Sequence, residues 1–403
     1  MKLETKAVHA GDRKRDRDRA GTFVPVTTPI FASSSYLYES AARLDKVLGA
    51  EEEGFSYARY ENPTRNALEE LLTSLEGGAG TFACSSGMMA VHMTLLAALT
   101  DRPKAILAAS ALYGATLKML TGILEPLGVT IDFVDIADLD AVRAKLAARR
   151  YGCVLMESIS NPLLRVGEMD KIAQAARESG AVLAVDNTFA TPLLLRPLEL
   201  GASFSIHSVT KFLAGHGDVL GGAVVSDADH LPVLTALSRT CGPVLGPFES
   251  YLTMRGIKTF PLRMERQCAN ACRLAAWLKE HPAVERVHYC GDPAHPDARA
   301  IRRLLPANLN GALVSFEIRG AGQEQIFQFM DRLKLVVTGT SLGDVHSLLL
   351  YPAMASHRDI APKQRARLGI RENLVRLSAG IEAVEDIIED LDQALAPVPE
   401  HGA

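Results

Sequence analysis

The chain has 403 residues, 48% of them hydrophobic and 22% charged, with a formal net charge of -4. That length can bury a sizeable core in roughly two or three domains, and the near-neutral balance gives no reason to expect nucleic acid or an anionic membrane as partner. No apolar run reaches the roughly 18 residues of a membrane-crossing helix, and the opening Met1–Arg19 stretch has no apolar secretory segment, so a cytoplasmic protein is expected.

Taken in chain order, Arg13–Arg19 (RKRDRDR) mixes both signs of charge and reads as a solvated arm. The first regular element begins at Asn62, a good N-cap, with Pro63 at the first helical position. Leu68, Leu71, Leu72 and Leu75 then recur at helical spacing, and Gly77 is placed to end the helix. Thr81–Ala90 predicts a strand that turns into a helix through Ser85-Ser86-Gly87. Short apolar runs predict strands at Lys104–Ala109, Thr130–Val134, Cys153–Met156, Val182–Val185, Phe204–His207 and Ala223–Val225, with amphipathic helices at Asp138–Arg149 and Asp170–Glu178. Such alternation implies a largely parallel sheet covered by helices, with ligands bound beyond the carboxyl ends of its strands. Near Arg255–Phe260 the rhythm changes. A long helix (Leu262–Glu280), a strand (Ala312–Ile318) and a C-terminal helix (Glu382–Ala394) predict a smaller α+β domain. The expected division is an arm over 1–60, a large domain over 61–256 and a C-terminal domain over 257–403.

The six cysteines (Cys84, Cys153, Cys241, Cys268, Cys272, Cys290) contain no C-x-x-C pair. They read as reduced, mostly buried thiols, without a disulfide framework or a metal site.

Three stretches could carry chemistry. In Ser205–Gly217, Lys211 follows a predicted strand and precedes a glycine-rich turn, with Ser208 and Thr210 just before it. A lysine at a strand end is ordinarily a surface charge. Between an apolar strand and a tight turn, its amine is instead placed to form a Schiff base with an aldehyde cofactor. Asp186 ends the apolar run Val182–Val185, where an unpaired carboxylate is costly. It could be a plain cap, or the acidic partner of a pyridinium nitrogen. Ser86-Gly87-Met88 would open a helix whose free N–H groups favour an anion. Nucleotide readings are poor, because no G-x-x-x-x-G-K-[ST] exists and the Gly215-His216-Gly217 run lacks the last glycine of G-x-G-x-x-G. No G-x-S-x-G elbow supports a hydrolase.

Together, Tyr57-Ala-Arg59-Tyr-Glu-Asn-Pro-Thr, Ser86-Gly-Met, Tyr113-Gly, Asp186-Asn-Thr-Phe-Ala-Thr-Pro, Ser208-Val-Thr-Lys211 and Val375-Arg-Leu-Ser-Ala-Gly-Ile-Glu382 resemble the Cys/Met-metabolism pyridoxal-phosphate family. That family includes cystathionine γ-synthase, cystathionine γ-lyase, methionine γ-lyase and the O-acylhomoserine sulfhydrylases. The motifs stand in order from about Thr5 to the C-terminal helix. The resemblance implies an α/β chain of the fold type I, aspartate aminotransferase-like class, with pyridoxal 5′-phosphate as cofactor. It makes Lys211 the lysine that holds the cofactor and later moves protons. Asp186 would pair with the ring nitrogen, Asn161 would contact the ring hydroxyl, and Tyr113 would stack on the ring and assist proton transfer. Gly87, Met88, Ser208 and Thr210 would hold the phosphate, with Ser86 and Thr188 as further cofactor contacts. Tyr57 and Arg59 would reach that phosphate from a neighbouring subunit, which makes a homodimer obligatory and a homotetramer expected. Arg376 would grip the carboxylate of a small amino-acid substrate, with Ser341 beside it.

Ala115 stands where methionine γ-lyases usually carry a cysteine. Ser56 and Thr340 stand where cystathionine-handling γ-enzymes usually place acidic residues. His346 has no assigned role, and the reactivity of Cys84 beside the phosphate turn is open. The tryptophan-bearing β-lyase version of Ser341-Leu-Gly-Asp344 is absent, the sole tryptophan being Trp277. The expected reaction is γ-elimination or γ-replacement on sulfur- or homoserine-derived amino acids. An O-acetyl- or O-succinylhomoserine sulfhydrylase is the alternative. A non-catalytic cofactor-binding regulator is a remote one, since no basic helix-turn-helix accompanies the motifs.

Overall fold

In the computed structural model, which describes residues 1–12, 25–358 and 360–396, the chain forms two sheets. The Arg13–Arg19 stretch lies outside the described residues. Among those described, no helix is long and apolar enough to cross a membrane.

The larger sheet holds β1 (Gly80–Cys84), β2 (Ala105–Ala109), β3 (Thr130–Val134), β4 (Cys153–Glu157), β5 (Val182–Asp186), β6 (Phe204–His207) and β7 (Gly222–Ser226) in the order β1-β7-β6-β5-β4-β2-β3. β7 runs antiparallel to β1 and β6, and every other pair is parallel. β2, β4, β6 and β7 are buried throughout, as continuous apolar runs covered on both faces must be. The predicted strands match within two residues.

The covering helices follow their local signals. Asn62 accepts from the Thr64 and Arg65 N–H groups, and Gly77, at φ 76°, ends the helix Pro63–Glu76. Its Leu68, Leu71, Leu72 and Leu75 are all buried. The two amphipathic segments form Leu139–Ala148, capped by Asp138, and Met169–Glu178.

The smaller sheet is made of β8 (Val284–His288), β9 (Leu313–Ile318), β10 (Val337–Thr338), β11 (Leu348–Leu350) and β12 (Leu374–Ser378), in the order β10-β11-β12-β9-β8. Only β10 and β11 pair in parallel. The change of rhythm near Arg255–Phe260 is a junction between the helices Pro247–Ile257 and Phe260–Glu280. The second of these serves both cores: Phe260, Met264 and Cys268 pack into the first, and Ala271, Leu274 and Leu278 into the second. The C-terminal helix spans Val384–Leu395. Residues 25–60 lie largely on the outside, with Ile30, Phe31, Leu37 and Leu48 exposed.

Candidate active site

The parallel strands β4, β5 and β6 end side by side, with Glu157 in register with Asp186 and Asp186 in register with Ile206. A cavity of about 210 Å³ opens at these carboxyl ends, where such sheets bind ligands. Of the sequence-predicted residues, Ser86, Gly87, Met88, Tyr113, Asn161, Asp186, Thr188, Ser208, Thr210, Lys211 and Arg376 all line it. Ser341 is tied to it by hydrogen bonds. Tyr57 and Arg59 do not line it.

Lys211 lies in the turn after β6 and donates from Nζ to Ser341 Oγ at 2.8 Å. Burial, and then the Arg376 guanidinium, pull its amine down to about 8. A minor fraction, about a tenth, is thus free of its proton at pH 7. The turn itself is held by Arg263, whose guanidinium donates to the carbonyls of Phe212, Leu213 and Gly256 at 2.9, 3.1 and 2.9 Å.

Asp186 Oδ1 accepts from the Thr188 N–H at 3.0 Å and the Thr188 hydroxyl at 2.6 Å. Thr188 Oγ1 in turn accepts from the Ser208 N–H at 2.9 Å, which locks the two strand ends together. Burial raises the Asp186 carboxyl, and the Thr188 bonds and His207 oppose that rise. A cationic ring nitrogen is a fitting partner for such a carboxyl.

The anion cradle is built by close approach. Ser86 Oγ accepts from the Met89 N–H at 3.1 Å and caps the helix Gly87–Leu99, whose first N–H groups have no partner within the helix. A Cβ on Gly87 would lie 2.7 Å from Ser208 Cβ. Thr210 Oγ1 accepts from the Gly221 N–H at 3.0 Å, which fixes the opposite wall.

Arg376 comes from β12 in the other sheet and is buried. It donates to Asn161 Oδ1 at 2.9 Å and to the Ser341 carbonyl at 3.2 Å, and its carbon Cζ lies 5.7 Å from the centroid of the Phe189 ring. Its Nε is buried without a hydrogen-bond partner among the described residues. A buried guanidinium N–H left unpaired is costly, and a carboxylate would satisfy it.

Several lining residues escaped the sequence reading, Glu157 and Phe189 among them. Glu157 ends an apolar strand as Asp186 does, so the rule that singled out Asp186 could have found it. The sequence departures also find places. Thr340 lines the cavity, whereas Ser56 and Ala115 do not. His346 is exposed, with Nδ1 3.0 Å from Asp344 Oδ1. Cys84 is buried, which pushes its thiol up to about 12, away from the thiolate form that reacts. Tyr57 and Arg59 are surface residues here: Arg59 stacks 4.8 Å from the Tyr60 ring centroid and donates to the Arg239 carbonyl.

These groups fit pyridoxal 5′-phosphate. The near-neutral amine, the buried carboxyl, the helix N-terminus with no room for a Cβ and the orphaned guanidinium N–H match its aldehyde, ring nitrogen and phosphate, and a substrate carboxylate.

The family model of the Cys/Met metabolism PLP-dependent enzyme matches residues 4–396. The L-methionine gamma-lyase of Fusobacterium nucleatum subsp. polymorphum is 36% identical, over 98% of either chain. The cystathionine beta-lyase of Lactococcus lactis subsp. cremoris is 37% identical, again over 98% of either chain. A crystal structure of cystathionine gamma synthase from Xanthomonas oryzae pv. oryzae superposes with a TM-score of 0.89 at 35% identity, covering 98% of either chain. Near-equal likeness to three different reactions leaves the choice among them to the site. The chain belongs to the Cys/Met-metabolism family of pyridoxal-phosphate-dependent enzymes.

Proposed function

We propose that the protein catalyses γ-elimination or γ-replacement on a homoserine-derived amino acid whose γ substituent is uncharged. One observation carries the choice. Among the described residues lining the cavity only Glu157 and Asp186 are acidic, and both already accept hydrogen bonds from the protein. Val91, Ile159, Leu342 and Leu350 supply an apolar wall, with Thr340 where an acid would grip a distal ammonium. An unpaired ammonium against that wall would be costly to bury.

The cofactor, when bound, supplies the electron sink that makes the substrate's α and β protons removable. The protein's residues do the rest. Lys211 Nζ accepts a proton from the substrate and returns it at another carbon, and Ser341 Oγ holds that nitrogen in line. With a pKa of about 8, roughly a tenth of the amine is unprotonated at pH 7. Arg376 takes the α-carboxylate through its unused Nε edge, and Asn161 and the Ser341 carbonyl fix the guanidinium plane. Asp186 would hold the ring nitrogen, Tyr113 would cover the ring, and the cradle of Ser86, Gly87, Met88, Ser208 and Thr210 would take the phosphate.

Tyr57 and Arg59 complete that cradle from a neighbouring subunit. The exposed apolar residues of the 25–60 arm support a homodimer, and we assign the working form to a homotetramer in the cytoplasm. We divide the chain into an arm over 1–60 and domains over 61–256 and 257–403, with Ala7 and the start of the helix Phe260–Glu280 packing into the first core across both boundaries. A sulfhydrylase acting on O-acetyl- or O-succinylhomoserine is the second reading, and the neutral wall around Thr340 suits the acetyl ester rather than the succinyl ester with its terminal carboxylate.

The test compares 2-oxobutyrate release from L-methionine, O-acetylhomoserine and L-cystathionine. The proposal expects either of the first two to outrun cystathionine, and added sulfide to divert O-acetylhomoserine to homocysteine if replacement is the reaction. Cystathionine as the fastest substrate would overturn the neutral-substituent reading.

A further inference from the structure

Glu157 has no part in the chemistry above, yet it sits on the cavity wall at the buried end of β4. Its Oε1 accepts from the Tyr113 N–H at 2.6 Å, and its Oε2 accepts from the Asn161 N–H at 2.9 Å. These N–H groups belong to separate turns, one beyond β2 and one beyond β4. One carboxylate therefore ties the tyrosine turn to the asparagine turn, and Asn161 Oδ1 passes the constraint to Arg376 at 2.9 Å.

The charge matters as much as the geometry. Glu157 and Asp186 are register partners on adjacent strands. The ionisable groups that face this pair are Arg376 from β12, Tyr113 from the turn beyond β2, and His207 from β6. Lys211 lies on the same cavity wall. Burial and the neighbouring Asp186 raise the Glu157 carboxyl, while the two N–H bonds and Arg376 oppose the rise. Two carboxylates side by side need cationic company.

We infer that Glu157 is a positioning residue: its carboxylate fixes Tyr113 and Asn161 relative to each other, and its charge joins that of Asp186 in balancing the positive charge of the bound cofactor. This rests on the cofactor assignment above.

The test uses the holoenzymes of E157Q and E157D, read without turnover. Glutamine keeps the size, but it removes the charge and leaves one N–H without an acceptor. The pH midpoint of the visible cofactor band should fall by about one unit in E157Q, because a nearby negative charge favours the protonated form. Cofactor affinity should weaken about tenfold, as for one lost hydrogen bond to a charged group. E157D keeps the charge on a shorter stem, so its midpoint should stay near that of the wild type while its affinity falls.

A folded E157Q with the wild-type midpoint would overturn the inference, even if its melting temperature drops, since that pattern marks a purely structural role. If E157Q does not fold, E157D decides: weaker affinity at an unchanged midpoint supports the inference, and wild-type affinity overturns it. A wild-type protein that shows no band with added cofactor would instead sink the cofactor assignment, and that is read before any variant.

Discussion

Gly87 is where the cradle can be probed by adding one carbon. A Cβ there would stand 2.7 Å from Ser208 Cβ, 3.0 Å from Ser208 Oγ and 3.1 Å from Ser208 Cα. Reaching the 3.4 Å of an ordinary contact requires the helix start and the Ser208 turn to part by about 0.7 Å. Neither side yields easily. Ser86 caps the helix at 3.1 Å, and Ser208 is tied by its N–H to Thr188 at 2.9 Å. Overpacking of this kind costs about 1–3 kcal/mol. Helix propensity works the other way, since alanine in a helix is favoured over glycine by roughly 0.5–1 kcal/mol. A loss in G87A is therefore steric. If the strain opens the cradle, the dissociation constant for pyridoxal 5′-phosphate rises about 5- to 150-fold. Equilibrium dialysis of the apoprotein, paired with its melting temperature, reads this directly. A G87A protein that binds the cofactor within twofold of the wild type would refute the placement of the phosphate between Gly87 and Ser208.

Other outcomes follow from the same geometry. Arg376→Lys keeps the charge, but a single ammonium cannot serve Asn161 Oδ1, the Ser341 carbonyl and a substrate carboxylate together. Its kcat/KM should fall about 10- to 100-fold with the visible band unchanged, whereas a fall under threefold would remove Arg376 from substrate binding. Because the Lys211 amine is lowered to about 8, attachment of the cofactor to apoprotein should speed up as pH rises towards that value and level off above it. A flat profile over this window would contradict the buried amine. Mixing K211A with R59A subunits should restore about a quarter of wild-type activity, because half the dimers are hybrids with one intact site. No recovery would place Arg59 in its own subunit's site or outside any site.

Much of this was legible in the sequence because the signals are local. The helix Pro63–Glu76 announces itself through its cap, its proline and its leucine spacing. The buried strands read as unbroken apolar runs, and Asp186 and Lys211 stand out as charges attached to them. The smaller sheet was mostly hidden. β10 has 2 residues and β11 has 3, too few for any period to register. Arg376 meets Asn161 across 215 residues of sequence, so its role came through resemblance alone. Arg263 falls within the expected helix Leu262–Glu280 with no local signal of its own, and only the fold reveals the three carbonyls it gathers beneath the Lys211 turn. Glu157 is legible as a carboxylate at the end of an apolar strand, as Asp186 is, but its partners are backbone N–H groups on two turns and leave no trace in the pattern of side chains.

The most direct test of the central claim is to reduce the cofactor-loaded protein with borohydride and map the modified peptide by mass spectrometry. The pyridoxyl group should be found on Lys211 alone, and K211A should carry none. Label on another lysine, or retention of label in K211A, would contradict the site described above.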